Sequence, residues 1–345
     1  IATAGWDNVV KLWQTKDPLV KTFYGHNASV LTVAFHPQGE FIATSSDDRT
    51  VKLWHLNGTL KTNFTAHDAE TYEVDFSNDG KLIASTSLDR TVKLWRPDGT
   101  LVYTTLGHNA LVTDVDFVSD GKTIVSGGFD KTIRFWALKK VADQVQANLW
   151  RTIFAHQAIV TDIDVSSDGK LISSVSHDHY LKLWQANGKL IKAIPADNTG
   201  LRAVAISPDK QMIATGGKEQ NVKLWNVEGE LIKVFAGHEA IVLDVEFSPD
   251  GTKIASASAD KTIKIGNKQG KLLTTLRGHQ GRVWNVAFSP DGQQLASVSQ
   301  DKLVKLWDLE RILKLNPLNY GCSWVKDYLK TNTKFQQQSD HFICR

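Results

Sequence analysis

Cysteine is nearly absent. Cys322 and Cys344 are the only two in 345 residues, so no disulfide framework supports the long stretch before them. No run approaches the roughly 18–20 apolar residues of a membrane-crossing helix, and no secretory leader pattern opens the chain. Charge of one sign is also missing. Forty Lys and Arg against 37 Asp and Glu leave +3, which points to no particular partner. These shortages lead us to expect a cytoplasmic chain with no membrane partner. With 41% hydrophobic and 22% charged residues, it is too apolar for a disordered polymer. Length alone suggests two or three domains of about 150 residues. Against a single Met stand eleven tryptophans.

Position explains that excess. Seven tryptophans fall at 13, 54, 95, 136, 184, 225 and 307, in steps of 41, 41, 41, 48, 41 and 82. The last step is two periods, and Gly266 holds the skipped place. The extra seven residues of the 48-residue step lie within 139–150, as a lengthened outer hairpin or surface loop. Histidines keep the same beat at 26, 67, 108, 156, 238 and 279, with Asp197 in the remaining slot. Six residues before each tryptophan position stands Asp7, Asp48, Asp89, Asp130, Asp178, Asp260 or Asp301, with Glu219 as the exception. Such self-similarity signals one repeat array rather than separate domains.

Each unit reads as four short strands. After His238, runs cover 241–247, 253–258, 262–265 and 272–276, separated by Ser-Pro-Asp-Gly at 248–251, Asp260-Lys261 and Gln269-Gly270. Asn57-Gly58, Asp98-Gly99 and Asn187-Gly188 suit hairpin turns that need positive φ. The runs are rich in Val, Ile, Thr, Phe and Trp, and no segment before 308 has a helical period.

The recurring Gly-His … Ser-x-Asp-x-Thr-Val-Lys-Leu-Trp pattern resembles the WD-repeat β-propeller family over roughly residues 1–308. The resemblance implies an all-β fold of four-stranded antiparallel blades around a central channel. Seven blades are expected, with eight as the alternative. Residues 1–14 read as a partial blade of a preceding repeat, 15–310 as the propeller and 311–345 as a short helical tail. The strand at 19–23 would close the ring beside the last unit. In the tail, Ser323 to Leu329 spaces apolar residues along one helical face. Its Gly-Cys-x-Trp-x-x-x-Tyr-Leu ending resembles the C-terminal part of cyanobacterial multidomain WD-repeat signalling proteins, which implies an upstream effector domain missing from this chain. Cys322 reads as a packed small residue rather than a nucleophile.

His26, Ser46 and Asp48 are the residue types of a hydrolytic triad. The set recurs as His67/Ser87/Asp89, His156/Ser176/Asp178, His238/Ser258/Asp260 and His279/Ser299/Asp301. An enzyme needs one such site, not five. The expected role is structural: Asp accepts from His, while Ser and the third-strand ring (Trp54, Trp95, Trp184, Trp307) complete a network that clips the loop between blades to a turn within one. No catalytic residue, cofactor or metal is assigned. His177-Asp178-His179 resembles a metal pair, but Asp178 belongs to the network. Gly128 replaces one Ser and Gly266 one ring. The unit with Asp197, Gly217 and Glu219 lacks three of four partners, so the blade over 197–235 is expected to be the weakest.

Two further patterns recur. A basic residue precedes every tryptophan position by two: Lys11, Lys52, Lys93, Arg134, Lys182, Lys223, Lys264 and Lys305. They could meet nucleic acid, but without a clustered patch they read as solvated flanks with packed stems. First-strand carboxylates pair as Glu73/Asp75, Asp114/Asp116, Asp162/Asp164 and Asp244/Glu246. A dedicated cation site needs converging ligands, so these read as lining a water-filled channel or making salt links between blades.

Function should lie where positions vary on the repeating scaffold. The resemblance implies three positions per blade at one channel mouth: three and five residues after the His, and one before the Asp. There Tyr72, Leu88, Leu111, Phe129, Ile159, Ile241, Leu243 and Trp284 are apolar where a solvated rim would be polar, and Arg202 and Arg282 join them. Aromatic and Arg anchors of this kind carry binding energy. The expectation is a non-catalytic scaffold or sensor module docking a protein or peptide. A nucleic-acid-binding propeller and an enzyme centred on the channel are the rivals.

Overall fold

The computed structural model describes residues 2–4, 10–12, 19–141, 144–235 and 237–315. They fall into two compact units, one of residues 22–306 and one of the chain ends, 1–21 with 307–345. Seven four-stranded antiparallel sheets form a seven-bladed β-propeller. Blades one to six span 30–65, 71–104, 112–154, 160–195, 201–235 and 242–277, each with its strands adjacent in chain order. Blade seven takes three strands from 283–308 and its fourth, Val20–Phe23, from the start of the chain. Closing the ring with a distant strand removes the exposed edge that an open array would present. Eight blades do not form: Ala2–Ala4 and Val10–Leu12 pair with each other as a two-stranded sheet of their own.

Local chemistry accounts for the elements. The expected runs of blade six appear as Val242–Phe247, Lys253–Ser258, Thr262–Asn267 and Leu272–Arg277. The seven extra residues lengthen the outer hairpin of blade three, where Thr132–Val141 pairs with Gln144–Phe154 down to Val141 opposite Gln144. The turn after each second strand holds one residue in the left-handed region, from Gln220 at φ 67° to His179 at φ 78°. Outside blade five that residue follows the repeated Asp, whose side chain accepts from backbone N–H groups around the turn. Second strands are buried throughout, as in Phe41–Ser46, whereas the outer Leu60–Thr65 is largely exposed. The core therefore lies between blades: Val30, Val33, Ile42 and Trp54 of blade one pack with Phe23, Ala296, Val298 and Leu306 of blade seven. In the other unit Leu309–Lys314 is a short helix capped by Asp308, whose side chain accepts from Arg311 N–H. The expected helical segment at 323–329 and Cys322 lie outside the described residues.

Candidate functional site

The repeated polar residues meet as predicted in kind, with one change of member. In six blades His Nδ1 lies 2.8–3.0 Å from the Asp: His26–Asp48, His67–Asp89, His108–Asp130, His156–Asp178, His238–Asp260 and His279–Asp301. The hydroxyl on Nε2 belongs to Thr44, Ser85, Ser126, Ser174, Ser256 or Ser297, at 2.8 Å in each. The indole N–H groups of Trp54, Trp95, Trp136 and Trp184 donate to those same hydroxyls at 2.8–2.9 Å. Ser46, Ser87, Ser176, Ser258 and Ser299 are thus not the network hydroxyls. They accept from the backbone N–H of the Asp two residues on, at 3.0–3.1 Å. Register is the cause. Trp54 pairs with Ile42, so its indole reaches diagonally to Thr44; Ser46 lies two residues, roughly 7 Å, farther along the strand.

This correction redraws the weak points. Gly128 leaves no gap, because Ser126 serves blade three. Blade five keeps half its network, with Trp225 donating to Thr215 at 2.9 Å. Asp197 instead caps its own loop by accepting from Thr199 and Gly200 N–H, and Glu219 accepts from Asn198 N–H and pairs with Lys223.

Burial lowers the imidazole pKa of His26, His67, His108, His156 and His238, against the hydrogen bond of each Asp. A neutral ring then donates from Nδ1 to Asp and accepts the hydroxyl proton at Nε2. The hydroxyl oxygen is left to accept the indole N–H. Burial works to raise the Asp carboxyls, but bonds from His and backbone amides, joined at Asp260 by the Thr262 hydroxyl, overcome it and hold Asp178, Asp260 and Asp301 at about 2. Each network hydroxyl is buried (0–4% exposed), and in the blades with a ring an indole covers it. Where an indole seals it, the Ser–His–Asp set has no place for a substrate carbonyl.

The first-strand carboxylates line the channel. All eight, from Glu73 to Glu246, face one cavity of about 400 Å³. Seven of them accept from backbone N–H groups on the first strand of the next blade rather than making salt links. Asp75 takes Phe117, Asp114 takes Ile163, Asp116 takes Val165, Asp162 takes Val204, Asp164 takes Ile206, Asp244 takes Val286 and Glu246 takes Phe288, at 2.5–3.3 Å. The innermost strand is a sheet edge, and its inward N–H groups need acceptors. Among the described residues no group of three His, Cys, Asp or Glu is arranged as metal ligands.

Six of the eight repeated basic residues are engaged rather than solvated, while Lys264 lines a cleft beside Gly266. Lys93, Lys182 and Lys223 donate to the carbonyls of Ala66, Ala155 and Ala196. Lys52 reaches Asn63, Lys305 reaches Thr22 and Arg134 pairs with Asp130. Lys11 has no described side chain.

At the channel mouth a depression of about 70 Å³ is lined by Leu31, Tyr72, Thr113, Thr161, Arg202, Leu243 and Trp284. These are the seven residues five places after the His. The backbone shows why they converge. Every first strand skips register there, as between Val242 and Asp244 or between Val283 and Asn285, and such bulges re-aim a side chain. Hydropathy carries no mark of this. The positions three after the His and one before the Asp are joined by backbone bonds, such as Phe129 N–H to Leu111 O and Ala259 N–H to Ile241 O. Leu88 and Phe129 are exposed on the rim, Arg282 is exposed, and Ile159 and Ile241 are half-buried. Leu111 is only 7% exposed, so it packs inward and offers no docking surface. The Arg282 guanidinium lies 5.9 Å from the Trp284 ring centre. Trp284 Nε1 and His177 Nε2 are buried and have no partner. Burial, then the nearby Lys218 and Arg202, depress the His177 imidazole pKa.

Among the described residues no helix is long and apolar enough to cross a membrane. No curated protein matches the chain. A family model described as a WD domain, G-beta repeat, matches residues 270–308. WD40 propellers are generally protein-interaction scaffolds and generally non-catalytic. A second model, the IFT122 first beta-propeller, matches residues 1–264, and with blades built on this tetrad and closed at seven, the chain belongs to that family of WD-repeat propellers.

Proposed function

We propose that this propeller docks a protein or peptide on its channel mouth, as an interaction module of a larger cytoplasmic, bacterial signalling protein with an effector domain upstream. The observation that carries the docking reading is the convergence of Tyr72, Arg202, Leu243 and Trp284 from four blades on one depression. The aromatic–Arg pair of Trp284 and Arg282 is a feature that a peptide carboxylate would satisfy. The upstream domain rests on the tail motif and is checked by reading the full-length open reading frame.

Peptides selected from a displayed library on the wild-type chain provide the test. Combined Tyr72→Ala, Phe129→Ala and Trp284→Ala substitution is expected to weaken the selected peptides more than about ten-fold. The melting temperature should stay within a few degrees. Unchanged affinity in the folded triple variant refutes the reading.

A further inference from the structure

The skipped tryptophan leaves a shaped vacancy between blades five and six. Gly266 opens a cleft of about 80 Å³ walled by Val222, Val234, Phe235, Ile254 and Leu272, with Ser256, His238 and Lys264 as its polar lining. Sister blades show what this geometry accepts. There an indole fills the space, and its N–H donates to the equivalent hydroxyl at 2.8–2.9 Å. Ser256 is 4% exposed and sits 2.8 Å from His238 Nε2. Its proton is shared between that nitrogen and the Lys264 carbonyl at 3.5 Å, and among the described residues no donor takes its remaining acceptor position. Phe235 leans to 2.9 Å from where a Cβ at 266 would stand, yet it brings no N–H and leaves the cleft open.

We propose that this cleft binds a small planar aromatic ligand bearing a ring N–H, of the indole type, inserted where the other blades carry their own ring. The apolar side of the cleft, which matches the place of an indole in the sister blades, suits a flat aromatic body, and rigid apolar vacancies in proteins take up such guests. The buried oxygen of Ser256 selects the N–H, because a group that fails to donate leaves it unsatisfied. The site lies apart from the channel mouth and does not depend on peptide docking there.

Indole is the probe, with benzofuran as its isostere carrying oxygen in place of N–H. Both are titrated calorimetrically into the whole chain, and methyl resonances of Leu272 and Val234 are followed. Indole is expected to saturate one site, shift those methyls and bind about five-fold tighter than benzofuran. Ser256→Ala should abolish the preference, and Gly266→Trp should abolish binding. Absence of saturable indole binding, equal affinity for the two ligands, or retained binding in a folded Gly266→Trp chain overturns the proposal. Should the new ring fail to displace Phe235 and the variant not fold, the two ligands on the wild type decide the question.

Discussion

Two serines two residues apart in one strand do different work. Ser85 joins His67 to Trp95, whereas Ser87 accepts the backbone N–H of Asp89 at the turn. Replacing Ser85 by Ala strands an imidazole nitrogen and an indole N–H in the core, an expected loss of about 3 kcal/mol. Ser87→Ala strands a single amide and is expected to cost about 1 kcal/mol. Urea denaturation measures both, and equal losses would remove the distinction drawn between them. The sequence pattern pointed to Ser87, and Ser85 lies on the same face of the strand. Cross-strand register chose between them.

At the scale of the element, the inner strand of each blade performs two tasks. Its bulge points one residue at the mouth, and its polar side chains clasp amides of the next blade, carboxylates in blades two, three, four and six, Thr32 in blade one and Asn285 in blade seven. Blade five is deficient in the second task as well as in its network. It carries Ala203 and Ala205 where blades three and four carry paired Asp residues, so it offers no carboxylate to Val245 or Phe247. Thr215–Trp225 supports it more than the missing His and Ser imply, but the absent clasp outweighs that gain. Amides of 197–235 are expected to exchange fastest among the blades, because the weakest blade opens locally before the ring unfolds. Native-state hydrogen exchange that ranks this blade as best protected would overturn the assignment.

For the whole molecule, eight carboxylates around one channel set a pH response. Burial, only partly offset by the amide bonds and added to by the Asp114 charge, pushes Asp75, Asp164 and Asp244 up to about 7. A carboxyl raised in this way favours the fold when protonated, so its contribution declines as pH climbs from about 4 to about 7. The network carboxyls act oppositely. Asp178, Asp260 and Asp301, held at about 2, contribute fully above the ordinary Asp value and lose that contribution as pH falls toward 2. The two sets of carboxyls together are expected to give a thermal midpoint, followed by circular dichroism, that is highest at about pH 4 and falls on both sides. Asp164→Asn should shallow the decline toward pH 8. A midpoint that rises steadily from pH 5 to pH 8 would contradict this account.

The sequence alone determined the blade, because everything within a blade is local. A strand's alternation, its turn residues and the 41-residue beat are read along the chain, and they specify four strands, the His–Asp pairing and the vacancy at Gly266. Tertiary structure decided what depends on partners far away in the chain. Closure at seven rests on strand 20–23 reaching the strand at 304–308. The network hydroxyl, the aim of Trp284 and the amide accepted by each channel carboxylate follow from register, from a bulge and from the neighbouring blade. The sequence already offered the strand at 19–23 for closure and, by resemblance, Trp284 for the mouth. Register and bulges leave hydropathy unchanged, so the network hydroxyl and the accepted amides left no trace in it.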